Sequence, residues 1–287
     1  MKKILVPLDF TDISEFGLQL AALVANHISA EITLLNYIIP PTEGGFSTMG
    51  DMSTSADIAE DSAFVAAMRR KNKQNMEELA SKYAAKSKAQ FNPVVAIGKF
   101  QDGIDDYIHK NNIDLVIMGT SGESTFSEMF LGNHTEQVMR ISNCPVLSVK
   151  QPIEHFEPTD MVLATDLHTG NSTEVKYFNE FASWFDSKIH LLHIVKDESK
   201  INQETNQALE EYAKNHNFLN YESHVIAGSS KEEVIKKFVK GKKVGMIAVT
   251  TRARSGLNNL FFGSLSEDLV KDLDVPVLVL TVNMDKK

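Results

Sequence analysis

Two hydrophobic rhythms alternate along the chain. Short unbroken runs of Val, Ile and Leu recur, and between them apolar residues return every three or four positions. Ile4–Leu8 is such a run. Ile13, Phe16, Leu20, Leu23 and Val24 then trace one face of a helix over Ile13–Ala25. Glu31–Ile39 predicts a strand, and Asp57–Ala85 a long helix with Phe64, Met68, Met76, Leu79 and Tyr83 on one stripe. Phe91–Ile97 predicts a strand, Ile104–His109 a short helix, Asp114–Gly119 a strand, His134–Ile141 a helix and Pro145–Lys150 a last strand. Strands apolar on both faces, with helices between them, mark an α/β fold with a parallel sheet covered on each side.

The pattern then restarts. Asp160–Asp166 matches Lys2–Asp9, Lys188–Val195 matches the second strand, and Ser223–Phe238 matches Asn92–Tyr107. Val244–Thr251 and Asp274–Val282 match the fourth and fifth strands. The chain therefore reads as a tandem duplication. Its two domains are expected at residues 1–150 and 157–287, joined by a polar stretch carrying Pro152 and Pro158. The first copy is longer, mainly through Pro40–Asp57, rich in Pro, Gly, Ser and Thr. That stretch would emerge at the carboxyl end of the second strand, as a ligand lid or a plain surface excursion.

Chemistry concentrates in the turn after the fourth strand. There Gly119, Gly122 and Gly132 stand in the spacing Gly-x2-Gly-x9-Gly, followed by Asn133, His134 and Thr135. Glycines at a strand end let main chain approach a ligand and take positive φ. Free amides at the following helix N-terminus favour a phosphate, and Asn133 and Thr135 add side-chain donors. The spacing is neither a dinucleotide Gly-x-Gly-x-x-Gly nor a P-loop. A tight turn with a helix cap would use the same glycines. Each copy also closes its first strand with an acid, Asp9 and Asp166, beside that same sheet edge. Such an acid can accept from a base or ribose, or can support the turn into a helix capped by Thr11 or Asp12, with Glu15 as capping-box partner.

With both Asp-ended first strands and the glycine segment in place, the chain resembles tandem universal stress proteins over nearly its whole length, twice. The resemblance implies five parallel strands per copy in the order 3-2-1-4-5, doubly wound with helices on both faces. The family divides into members that bind ATP and members that do not. For the first copy the resemblance assigns Leu8 and Asp9 to the adenosine end. It assigns Gly119, Gly122 and Gly132 to ribose and phosphates, and Met118, Asn133 and Thr135 complete the expected nucleotide-binding residues. Asn133 stands where Ser or Thr is usual. The second copy keeps Thr165, Asp166, Gly263 and Ser264 but carries Thr250 and Ala253 in place of the two earlier glycines. Binding is expected chiefly in the first copy. Arg252 and Arg254 in the second are read as solvated. The family also pairs its single-domain members through the last strand, which here implies an internal pseudo-dimer. A homodimer of whole chains is left open.

Composition narrows this little further. A net charge of −9 disfavours nucleic acid as a partner but not one small anion held by main-chain amides. The lone cysteine, Cys144, excludes an internal disulfide and reads as buried. No apolar run is long enough for a membrane span, and the start does not read as a signal peptide, so a cytoplasmic location is expected. His134 and His168 lack triad partners and read as neutral. His190 and His193 lie three apart in a strand, so they face opposite ways, and no metal-ligand spacing is evident. Asp105/Asp106 and Glu232/Glu233 read as dipole-complementing acids early in helices. Trp184 reads as core with Phe181 and Phe185, and Lys236–Lys243 as a solvated helix end. The resulting expectation is a sensor or regulatory module holding ATP or a related adenine nucleotide, without strong catalysis. At most, slow ATP hydrolysis with Mg²⁺ bridging the phosphates is expected. The alternative is an interaction protein whose pockets have decayed.

Overall fold

The computed structural model describes residues 2–40, 63–121, 132–167, 173–253 and 264–283. Residues 41–57 of the glycine- and serine-rich stretch, Gly122, His168, Arg254 and Gly263 lie outside the described residues.

In the first copy, β1 (Lys3–Pro7), β2 (Glu31–Ile38), β3 (Gln90–Ile97), β4 (Leu115–Gly119) and β5 (Val146–Val149) alternate, among the described residues, with the helices α1 (Asp12–Ala25), α2 (Ala63–Ala84), α3 (Phe100–Asn111) and α4 (Gly132–Ile141). The second copy repeats this with β6 (Asp160–Ala164), α5 (Thr173–Ser183), β7 (Lys188–Val195), α6 (Gln203–Asn215), β8 (Tyr221–Ala227), α7 (Lys231–Lys242), β9 (Met246–Ala253), α8 (Ser264–Asp272) and β10 (Val277–Asn283). Strand order is β3-β2-β1-β4-β5-β10-β9-β6-β7-β8, so each copy runs 3-2-1-4-5. Every pairing is parallel except β5 with β10.

The alternation within each strand builds two cores. Ile4 and Val6 point into one layer with α1, α2, α5 and α6, while Leu5 points into the other with α3, α4, α7 and α8. All three side chains are fully buried, which is why these strands read as unbroken apolar runs. Each layer runs across both copies without a break. The long-helix stripe needs one correction: Phe64 is exposed, and its neighbour Val65 is buried instead. Trp184 lies just beyond α5 and packs on Phe181 at 5.1 Å, as core. Asp105 and Asp106 also differ from expectation. α3 starts at Phe100, so they sit mid-helix and pair at i,i+4 with His109 and Lys110. Glu232 and Glu233 do occupy a first turn.

At the junction Leu147 pairs with Leu278, and these are equivalent positions of the two copies. An approximate two-fold axis thus passes between them. Surface ion pairs obey the same symmetry: Arg140 meets Glu267, and Lys271 meets Glu136 at 2.8 Å. Exposed pairs like these add at most about 1 kcal/mol each, so they orient the halves while the shared core holds them.

Candidate functional site

The chain leaves β1 at the switch point, where β2 lies on one side and β4 on the other. Leu8 is still tied to the sheet. Its N–H donates to the Leu35 carbonyl (2.8 Å), and its own carbonyl accepts from Asn36 Nδ2 (2.8 Å). Asn72 on α2 donates to Asn36 Oδ1 (2.8 Å) and fixes the amide's orientation. The second copy uses a different residue for the same bond: His193 Nδ1 donates to the Thr165 carbonyl at 2.9 Å.

Asp9 is exposed. Its Oδ1 accepts from the Thr11 N–H (3.1 Å) and hydroxyl (2.6 Å), while Oδ2 has no hydrogen bond among the described residues. Thr11 is the N-cap of α1 and accepts from the Ser14 N–H. Glu15 is not its capping partner; that carboxylate accepts from Lys82 and Tyr83 on α2, and the Lys82 bond chiefly holds its pKa low. Phe10, next to Asp9, has φ 65, and Leu167, next to Asp166, also has φ 65. A bulky residue in the left-handed region stores on the order of 1–3 kcal/mol, and such strain gathers at functional turns. Sequence reasoning missed this, because a phenylalanine carries no turn signal.

Gly119 ends β4 beside this turn. A Cβ built on it would stand 1.7 Å from the Ile13 carbonyl oxygen, and one on Gly17 would stand 2.7 Å from the Gly119 nitrogen. The glycine pair therefore lets α1 lie directly on β4. Gly119 does not take positive φ, contrary to the expectation for the turn. Met118 is buried, and its side chain belongs to the core. Thr135 is buried too, and its hydroxyl donates to the Gly119 carbonyl at 3.2 Å, tying α4 to β4 rather than facing the edge. α4 begins at Gly132, two residues before the expected His134, so Gly132 and Asn133 lie in its first turn rather than ahead of it. His134 stacks on Phe100 at 4.2 Å and 25°. Burial lowers its pKa against the opposing pull of Asp9, which favours the neutral ring.

In the second copy Asp166 follows β6, but β9 runs on through Thr250 to Ala253. Thr250 pairs with Leu280 and Ala253 with Asn283, so main chain that would have to turn toward a ligand is built into the ladder with β10. Ser264 opens α8.

A third cluster was not legible in the spacing. His190 and His193 do face different partners, but pairing of β7 with β8 brings His190, Glu222 and His224 together.

The family model described as the Universal stress protein family matches residues 1–150 and again 160–281. Universal stress protein MJ0531 of Methanocaldococcus jannaschii is 24% identical over 151 residues, covering 53% of this chain and 83% of its own. Universal stress protein YxiE of Bacillus subtilis is 26% identical over 151 residues, 52% of this chain and 98% of its own. A universal stress protein structure from Archaeoglobus fulgidus aligns with TM-score 0.74 at 19% identity, covering 99% of this chain and 97% of that one.

Proposed function

The chain belongs to the universal stress protein family, and on that premise we propose that its first copy binds ATP or a related adenine nucleotide and serves as a cytoplasmic sensor or regulatory module. The observation that carries this reading is Asp9. One carboxylate oxygen is pinned by Thr11, and the other has no hydrogen bond among the described residues, at the end of β1 beside the strand that leads into the glycine segment. An acceptor held this way suits the donors of an adenine ring or a ribose. Gly122, Gly132 and Asn133 would then present main-chain and amide donors to the phosphates, which needs no net positive charge. A bound nucleotide would bring its own Mg²⁺ to bridge the phosphates. The hydroxyl bonded to Asp9 at this edge, that of Thr11, is also the N-cap of α1, a structural use that favours sensing over turnover, with at most slow hydrolysis.

A second reading applies to the second copy alone. Its fourth strand continues past the position equivalent to Gly119, where the first copy's strand ends, and this favours a non-binding scaffold role for that half. Isothermal titration of the purified chain with ATP, ADP and AMP tests both readings, together with mass spectrometry of retained small molecules. One site per chain, lost on Asp9→Ala, is the expected result. No heat and no retained nucleotide would leave only the interaction role. Two equal sites would refute the assignment of the second copy.

A further inference from the structure

We propose that His190 Nδ1, His224 Nε2 and the Glu222 carboxylate bind one divalent transition-metal ion of the zinc type at the outer edge of the second copy. His190 pairs in register with Glu222, and His224 lies two residues further along β8 on the same face. The candidate ligand atoms all lie within 4.8 Å of one another. His190 is 2% exposed, and α7 closes over the cluster with Phe238 edge-on to both rings.

Asp160 sets the chemistry of the buried ring. Its Oδ1 lies 2.9 Å from His190 Nε2, so that nitrogen carries the proton and Nδ1 is left as a lone pair. A carboxylate behind a histidine in this way is the usual second support of a metal-bound imidazole. In the metal-free site that lone pair accepts from His224 Nε2–H at 3.0 Å, and this proton passes to His224 Nδ1 or to solvent when the ion binds. Two nitrogens bound tetrahedrally at 2.0–2.1 Å stand about 3.3 Å apart, so the rings need to part by only a few tenths of an ångström.

Glu222 brings one oxygen to within 3.7 Å of each ring: Oε2 from His190 Nδ1 and Oε1 from His224 Nε2. Lys188 donates to Oε2 at 2.8 Å, and Lys242 lies 3.7 Å from Oε1. With one oxygen on the ion, the other keeps its lysine. Asp160 and Glu222 balance the two lysines, so the ion enters a nearly neutral site and binds less tightly than at a four-thiolate centre. Two imidazoles and a carboxylate select zinc, cobalt or nickel over magnesium or calcium, which prefer oxygen sets. Glu222 is partly exposed, which leaves a fourth position for water. The cluster lies at the amino ends of the strands, away from Asp166, so the proposal does not depend on nucleotide binding.

The test uses untagged full-length protein, since nine histidines are already present, stripped with a chelator and titrated with Co²⁺. The expected result is one equivalent bound, with visible ligand-field bands that Zn²⁺ erases, and a rise in Tm on adding Zn²⁺. Glu222→Gln and His224→Gln should each weaken binding tenfold or more, and Asp160→Asn by about 10–100-fold. Absence of both bands and Tm shift in the wild type overturns the proposal. So does unchanged affinity in Glu222→Gln and His224→Gln. Should His224→Gln not fold, ring-nitrogen NMR of the wild type decides. Zn²⁺ must move the signals of His190 and His224, and movement confined to other histidines overturns the site.

Discussion

The carbonyl oxygen of Ile13 lies 1.7 Å from the position a β-carbon on Gly119 would occupy. The first glycine of the Gly-x2-Gly-x9-Gly segment is therefore needed by the helix that leans on β4, whether or not a ligand ever arrives. Gly119→Ala should destabilise the protein by about 3 kcal/mol, at the upper end of overpacking effects. A urea titration of the unliganded chain checks this. A change within 0.5 kcal/mol would mean that α1 can slide away from the strand.

Gly122 supplies the contrasting case. Gly122→Val is expected to abolish nucleotide binding while leaving the urea midpoint unchanged. Retention of wild-type affinity would show that the second glycine does not line the phosphate cradle.

Asn36 joins Leu8 to Asn72, and it is buried. Asn36→Ala leaves a carbonyl and an amide without their partner and should reduce stability by about 1–3 kcal/mol. His193→Ala should act in the same direction on the second copy, through the Thr165 carbonyl. Thermal or urea denaturation of the two variants reads this out. Neutral behaviour in either would mean that water replaces the lost donor.

Cys144 is buried, and burial pushes its thiol up to about 11. The thiolate is the reactive form, so at pH 8 the native protein should react with a disulfide reagent far more slowly than the urea-unfolded protein. Raising the pH toward 9 should quicken the unfolded chain, whose thiol ionises near its ordinary value, while the native protein stays slow. Equal rates at pH 8 would place the sulfur at the surface.

The parallel sheet and the duplication were legible because strands buried on both faces leave runs such as Ile4–Leu8 and Val244–Thr251, which no surface element would tolerate; the strand order came only with the family resemblance. What the sequence hid has physical causes. Val65 and Phe64 are adjacent, and a one-residue rotation of α2 decides which is buried. Gly119 carries two compatible meanings, and only the position of Ile13 separates them. The left-handed turn at Phe10 follows from its neighbours rather than from phenylalanine. His190, Glu222 and His224 are dispersed in sequence, and only the register of β7 on β8 makes them neighbours. Thr250 and Ala253 were legible as lost glycines, but not as residues that extend a strand.

Leu147 opposite Leu278 has one more consequence. Because one polypeptide contains both halves of that contact, the association does not weaken on dilution and requires no second molecule. Selection on the second half can then relax at its ligand edge while still maintaining the surface that props up its sibling. On the proposed reading, a lost glycine there would remove a binding event without dismantling the assembly, a division of labour that a reversible dimer of identical subunits cannot reach.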